Sequence, residues 1–337
     1  MNLSRISSKI KVMQKNEIII GIDVSKATLD ICMNQMGTKS FHVIANNVKS
    51  VRKFFDSLSR PAILAMENTG RYNWHLYEVL ANTHNTVYVL NPLHLKRSIG
   101  LVRGKSDKID AERICLYITK HSEDHQAWIP TSRSIQKLNV LLSERKKRID
   151  DVRRLKCRRQ DYKLMRTIGL DKSLDRLNKR QIKLLVTQIQ IIEASIDTII
   201  KEDETLNEQK NLITTVPGVG RILAWNLIAT TAGFTKINDP RKLACFAGVV
   251  PFSNQSGVFQ GKAQVSLYAD KNLKMLLHLG AMSAIRLNND LELYYRRKVN
   301  EGKNKMSVLN AVRNKIVHRV CSVIKNKKEY QNHLVLS

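Results

Sequence analysis

Residues 17–34, EIIIGIDVSKATLDICMN, place a β-branched apolar run, a short polar turn and a second apolar stretch in succession, which predicts two strands paired as a hairpin. FHVIANN (41–47) predicts a third strand. After it the period changes. SVRKFFDSLS (50–59) reads as a helix, AILAM (62–66) as a buried strand, YNWHLYEVLAN (72–82) as a helix, TVYVL (86–90) as a strand and SDKIDAERICLYITKHS (106–122) as a helix.

Three antiparallel strands followed by αβαβα is the order of a ribonuclease-H-like α/β domain, expected over residues 17–130. From 131 to 211 the chain is charged, almost free of glycine, and apolar at spacings of three and four. Residues 134–164 and 178–204 predict two long helices, an antiparallel coiled-coil arm turning around IGLDKSLDR (168–176). Glycine and proline return near Leu212, opening a mainly helical region, 212–337, whose last ten residues are expected to fray. The fold class is therefore α/β plus α.

Charge narrows the partners. Lys and Arg number 57 against 29 Asp and Glu, a net +28 on 337 residues, so a polyanion is the expected ligand. Within 144–160 alone nine basic residues face three acids, among them Arg145, Lys146, Lys147, Arg148, Arg153 and Arg154. A solvated helix face is the alternative for this run; the whole-chain charge favours nucleic acid. No apolar run is long enough to span a bilayer, and residues 1–16 are basic without the apolar core of an export signal, so they read as a flexible arm in a cytoplasmic protein. Five scattered cysteines with no Cys-x-x-Cys pair argue against a disulfide framework and against zinc.

Two acids interrupt strands that should be apolar: Asp23 in IIIGIDVS and Glu67 at the end of AILAMENTG. Each alone could cap a turn. On neighbouring strand ends of one sheet, however, two carboxylates repel unless a cation neutralises them, and the pair then suits Mg²⁺ or Mn²⁺. Asp107 and Asp110, three apart at the start of a helix, share a face and could complete the set; first-turn acids are equally explained by capping and the helix dipole. Strand-borne and helix-borne carboxylates together form the layout of two-metal phosphoryl transfer.

In Val216-Pro217-Gly218-Val219-Gly220 and the helix after it we read a helix-hairpin-helix, with Gly218 and Gly220 letting backbone approach a phosphate and Arg221 assisting. An ordinary turn between core helices fits the same residues. Asp239-Pro240 opens a further helix that ends near Gly248. The polar loop after Pro251 carries Ser253 and Ser256, with no neighbouring base to mark a nucleophile.

GIDVSKATLDI, MENTGRYNWHLYEVL, KSDKIDAERI, TVPGVGRILAWNLIA and LACFAGVVPFSNQSG, in this order, resemble the DEDD-type insertion-sequence transposases, the group that includes the Piv DNA invertases and the bridge-RNA-guided recombinases. The resemblance runs over about residues 17–325. It implies a RuvC-like N-terminal domain, a coiled-coil arm and a C-terminal transposase domain, that Asp23, Glu67, Asp107 and Asp110 form the acidic, metal-binding tetrad, and that Ser256 is the nucleophile that links covalently to DNA. It further implies donor and target DNA, a structured guide RNA, and a homo-oligomer, a dimer of dimers, in which tetrad and serine come from different subunits. Two departures stand out: Asn68 after the glutamate, and Leu267, Tyr268 and Ala269 where the family tends to a basic, glycine-containing stretch. The rival expectations are a metal nuclease resembling a junction resolvase, with water as nucleophile, and a non-catalytic nucleic-acid-binding protein.

Overall fold

Strand β1 (Ile18–Val24) is buried at every position except Asp23, because it lies in the middle of a five-stranded sheet covered on both faces. The computed structural model describes residues 17–99, 106–256 and 259–332; the expected arm at 1–16 lies outside the described residues. Two compact units divide the chain, 1–130 and 131–337.

In the first unit β2 (Thr28–Gln35) and β3 (Thr38–Ala45) follow β1 as antiparallel neighbours. Then come α1 (Val48–Asp56), β4 (Ala62–Glu67), α2 (Trp74–Leu80), β5 (Thr86–Leu90), α3 (Pro92–Ile99) and α4 (Asp107–His121). The sheet order is β3-β2-β1-β4-β5, with β4 and β5 parallel to β1. This is the expected order, with one addition, the eight-residue helix α3 between β5 and α4.

The alternation along β1 sorts the two layers. Ile18, Ile20, Ile22 and Val24 pack with Val51 and Phe55 of α1 and with Leu76, Val79 and Leu80 of α2. Ile19 lies on the other face with Ala111, Ile114, Cys115 and Ile118 of α4. Burying each such isoleucine contributes about 1.5–3 kcal/mol, so the uninterrupted apolar run of β1 is a consequence of having helices on both faces. At the sheet edge β3 is mostly exposed.

The second unit begins with α5 (Arg133–Tyr162) and α6 (Asp171–Glu202), 30 and 32 residues long and packed along each other. Their turn comes earlier than 168–176. A 3₁₀ segment over 163–168 leads to Gly169 at φ +71°, and α6 starts at once after Leu170. Asp175, placed in the turn by sequence, instead sits on α6 and pairs with Arg159 of α5 across the hairpin.

There follow α7 (Glu204–Thr214), α8 (Arg221–Thr231), α9 (Pro240–Phe246), β6 (Pro251–Ser256), β7 (Phe259–Val265), α10 (Lys271–Ala284), α11 (Asp290–Asn300) and α12 (Lys305–Asn326). Helix α7 runs across the expected boundary at 211/212. Ile135, Leu138, Ile196 and Ile200 of the arm share one core with Trp225, Leu277, Val312 and Ile316. The polar loop after Pro251 is an antiparallel ladder, β6 with β7, whose connecting residues 257 and 258 lie outside the described residues. Fraying is not found as far as Asn332: Tyr330 donates its N–H to Thr215 Oγ1 at 2.9 Å and its hydroxyl to Asp290 Oδ1 at 2.9 Å.

Candidate active site

Parallel pairing sets Ile22 beside Met66, so Asp23 and Glu67 each follow by one residue on adjacent strands. Ile22 and Met66 belong to the α1–α2 face. Alternation therefore turns both acids to the α4 face, on strands about 5 Å apart. Two buried asparagines tie these strand ends down. Asn46 Nδ2 donates to Ser25 O at 2.8 Å and to Tyr72 O at 3.0 Å, joining the segment after β1 to the segment after β4. Asn73 Nδ2 donates to Glu67 O at 2.9 Å, while its Oδ1 accepts from Thr69 N and Oγ1 at 2.8 and 2.7 Å. Asn68, the departure beside the glutamate, takes a turn role: its Oδ1 accepts from Gly70 N at 3.2 Å.

Helix α4 brings the other two acids. Its cap is Ser106, whose Oγ accepts from Ile109 N at 3.3 Å, so neither Asp107 nor Asp110 serves as the N-cap. Both lie in the first turn, where the helix dipole stabilises them. Asp110 also pairs with Arg113 at 2.8 Å. What seats α4 on the sheet is Gly21. A Cβ at that position would lie 2.2 Å from Ala111 O and 2.3 Å from Cys115 N, a separation only a glycine permits. Asp23 is two residues further along the same face, toward the start of α4.

The electrostatics record that convergence. Asp23 is half-buried, and its carboxyl is pushed up to about 6 by burial first, then by the negative charges of Asp107, Asp110 and Glu67. Asp30, which the sequence reading passed over, stands opposite Asp23 in the β1–β2 register. It too is raised, by burial and by Asp107. Its only sequence signal was an acid at an alternate position of a strand. Such an accumulation of hard oxygen donors on a partly desolvated sheet end fits a divalent cation of the Mg²⁺ type. Among the described residues no group of three or more His, Cys, Asp or Glu side chains is spaced to hold a metal ion. The four acids form an electrostatic cluster and not a closed coordination shell.

In the second unit Ser256 is the last residue of β6, in register with Phe259, and its side chain lies outside the described residues. Gly218, at φ +85°, makes the bend between α7 and α8 and packs against α10: a Cβ on it would lie 2.3 Å from Gly280 O. Arg145 and Arg221 converge on Glu193 at 2.7 and 2.6 Å, and Arg221 reaches Asp197 at 3.2 Å while lying over the Trp225 ring. Both were expected at phosphates; in the structure both join α5, α6 and α8. Lys147 and Arg148 share Glu144, at 2.6 and 2.7 Å, and Arg154 pairs with Asp151. Among the expected cations of α5, Lys146 and Arg153 have no carboxylate partner within the described residues. Arg153 lines a shallow surface depression with Asp150, Arg154, Cys157 and Arg158.

Two family models match. The one described as Transposase IS116/IS110/IS902 family covers residues 210–296, and a DEDD-type IS110 model, described as Transposase, covers 20–163. A pilin gene-inverting protein of Moraxella bovis is 24% identical over 326 residues, 94% of this chain and 98% of that protein. A transposase for the insertion sequence element IS1111A of Coxiella burnetii is 23% identical over 312 residues, 85% of this chain and 83% of that protein. A probable family 20 transposase of Pseudomonas aeruginosa is 24% identical over 294 residues, 79% of this chain and 84% of its own.

Proposed function

The chain belongs to the IS116/IS110/IS902 transposase family, and from that premise we propose that it cuts and rejoins DNA, moving or inverting a segment through a serine-linked intermediate. The observation that carries the reading is the convergence of Asp107, Asp110 and Glu67 on Asp23 at the end of the sheet. Those four carboxylates are the groups that would hold Mg²⁺ or Mn²⁺. When bound, the cation supplies charge neutralisation at the phosphate and at the leaving oxygen.

The chain's own residues do the rest. Asn46 and Asn73 hold the two strand ends so that Asp23 and Glu67 stay on one face. The Ser256 hydroxyl attacks the phosphorus. A new Oγ–P bond replaces one phosphodiester P–O bond, and the proton lost from the serine is matched by one gained at the departing deoxyribose oxygen. The energy of the phosphodiester stays in the phosphoserine, so a second strand's hydroxyl can reverse the step and rejoin DNA without ATP or another energy source.

The surplus of positive charge supports donor and target DNA as partners, and Lys146 and Arg153 of α5 remain available to phosphate. A structured guide RNA pairing with both DNAs, and a dimer of dimers in which the carboxylates and Ser256 come from different subunits, complete the reading. It places the protein in the cytoplasm, and no described helix is long and apolar enough to cross a membrane.

Trapping of covalent protein–DNA adducts under denaturing conditions is the test. Wild type accumulates adducts and Ser256→Ala does not, while both bind DNA equally. Undiminished recombination by Ser256→Ala rejects the serine. Free 5′-phosphate ends without adducts identify a resolvase-like nuclease with water as nucleophile.

A further inference from the structure

Residues 266–270 join β7 to α10 in a turn that is pinned from several sides. Tyr268 N donates to Ser266 Oγ at 3.2 Å, Ala269 N to Ser266 O at 3.3 Å, and Asp270 N to Phe246 O at 2.9 Å. Beneath it Gly248, at φ +63°, leaves no room for a side chain, since a Cβ there would lie 2.5 Å from Ala269 Cβ. Asp270 directs its carboxylate to the first turn of α10, accepting from Leu273 N at 2.8 Å. The backbone is thus held, yet it presents Leu267 at 86% and Tyr268 at 67% exposure.

One exposed apolar residue calls for no explanation. Here the surroundings do. Tyr268 borders an open groove of about 500 Å³ that is also lined by Lys146 of α5, Asn226 of α8, Asp270, whose carboxylate is engaged as the cap of α10, and Lys271 and Asn272 of α10. Neither lysine has a carboxylate partner among the described residues. Asn272 Nδ2 donates to Asn226 Oδ1 at 3.0 Å, and Asn226 Nδ2 donates to Ile222 O at 2.8 Å. This chain of amides is oriented, and it leaves Asn272 Oδ1 as an acceptor.

An aromatic face, two ammonium groups and an oriented amide acceptor are the elements that recognise a nucleotide whose base is out of its stack. A base inside a duplex has both faces covered and cannot lie on the ring. We propose that the groove lined by Tyr268, Lys146, Lys271 and Asn272 binds one unstacked nucleotide of a single strand, its base on the Tyr268 ring and its phosphate at the two lysines. The proposal rests on the reading of the chain as a nucleic-acid-processing protein, and it gives a use to the segment where the sequence departs from the family pattern. A DNA strand opened at the reacting ends and a loop of RNA offer the same chemistry.

The experiment measures binding of the full chain to labelled single-stranded DNA and RNA of one sequence, to the same DNA with abasic sites in place of bases, and to a duplex. Tyr268→Ala weakens binding to the intact single strand about tenfold, as loss of one stacked base does. Tyr268→Phe retains it, and duplex binding is unchanged in both, which also shows that the variants are folded. The abasic strand binds weakly and is indifferent to Tyr268→Ala, while Lys146→Ala weakens intact and abasic strands alike. The tighter of the DNA and RNA arms identifies the source of the strand. Equal single-strand binding by wild type and Tyr268→Ala, or an equal loss on the abasic strand, overturns the pocket alone; a chain that binds no nucleic acid overturns the functional reading with it.

Discussion

Gly21 of β1 and Ala111 of α4 are in backbone contact: a methyl group on Gly21 would stand 2.2 Å from the Ala111 carbonyl oxygen. Through this contact the helix that carries Asp107 and Asp110 settles onto the strand that carries Asp23. Gly21→Ala forces α4 away from the sheet. The overpacking costs about 1–3 kcal/mol, and the carboxylates separate. Thermal denaturation is expected to show the loss, and titration with Mn²⁺ a weaker affinity. Wild-type melting and wild-type affinity together would show that the contact does not position the site.

The Asp23 carboxyl, at about 6 against an ordinary 3.8, makes the metal-free protein pH-dependent. An acid whose pKa is raised by folding binds more protons in the native state than in the unfolded one between those values. Its effect is therefore a loss of stability as pH rises from about 4 to about 6, and the loss persists above. A shift of about two pH units bounds this at about 3 kcal/mol, and partial solvent access reduces it to about 1–2 kcal/mol. In chelator at neutral pH, Asp23→Asn should melt higher than wild type. Below about pH 4 the two should converge, and added Mg²⁺ should raise wild type alone. A variant that melts lower at neutral pH would show that Asp23 is stabilised by its surroundings.

Glu193 is the joint of the second unit, since Arg145 and Arg221 both end on its mostly buried carboxylate. Glu193→Gln leaves two guanidinium groups with weaker acceptors and should cost about 1–3 kcal/mol in urea denaturation. Asp197→Asn, which loses only the 3.2 Å contact to Arg221, should cost less than half as much. Equal costs would place the weight of the junction on Asp197.

Thiol chemistry should report the layering. Cys157 is exposed on α5, whereas Cys32, Cys115 and Cys321 are buried. Burial pushes the Cys115 thiol up to about 12 and that of Cys321 to about 11. At neutral pH an alkylating reagent should modify Cys157 promptly and leave the buried three until the protein unfolds, as read by mass spectrometry of timed digests. Prompt labelling of Cys115 would mean that α4 lifts readily from the sheet.

Much of this was legible along the chain. The unbroken apolar run of β1, the alternation in β2 and the later helix–strand succession determined the topology of the first unit, because a strand covered on both faces can tolerate a carboxylate only where the chemistry requires one. Asp23 and Glu67 stood out for that reason. The long apolar period of 134–164 and 178–204 determined the helical hairpin. Its turn lies several residues before the expected 168–176, since the pairing of Arg159 with Asp175 is not visible in local pattern.

Other features depended on what folding brings together. Sequence left Asp107 and Asp110 equally explained by capping, and only the structure shows Ser106 as the cap. The basic run on α5 looked uniform, yet Arg145 is drawn inward by Glu193, 48 positions away, while Lys146 beside it faces a groove. Gly218 and Gly220 read as a phosphate grip along the chain, and only the structure shows that Gly218 also admits the close approach of α10. Local pattern determines which elements form and which faces they bury. The partner of a given charge, and the use of a given glycine, are set by long-range packing, which no spacing along the chain encodes.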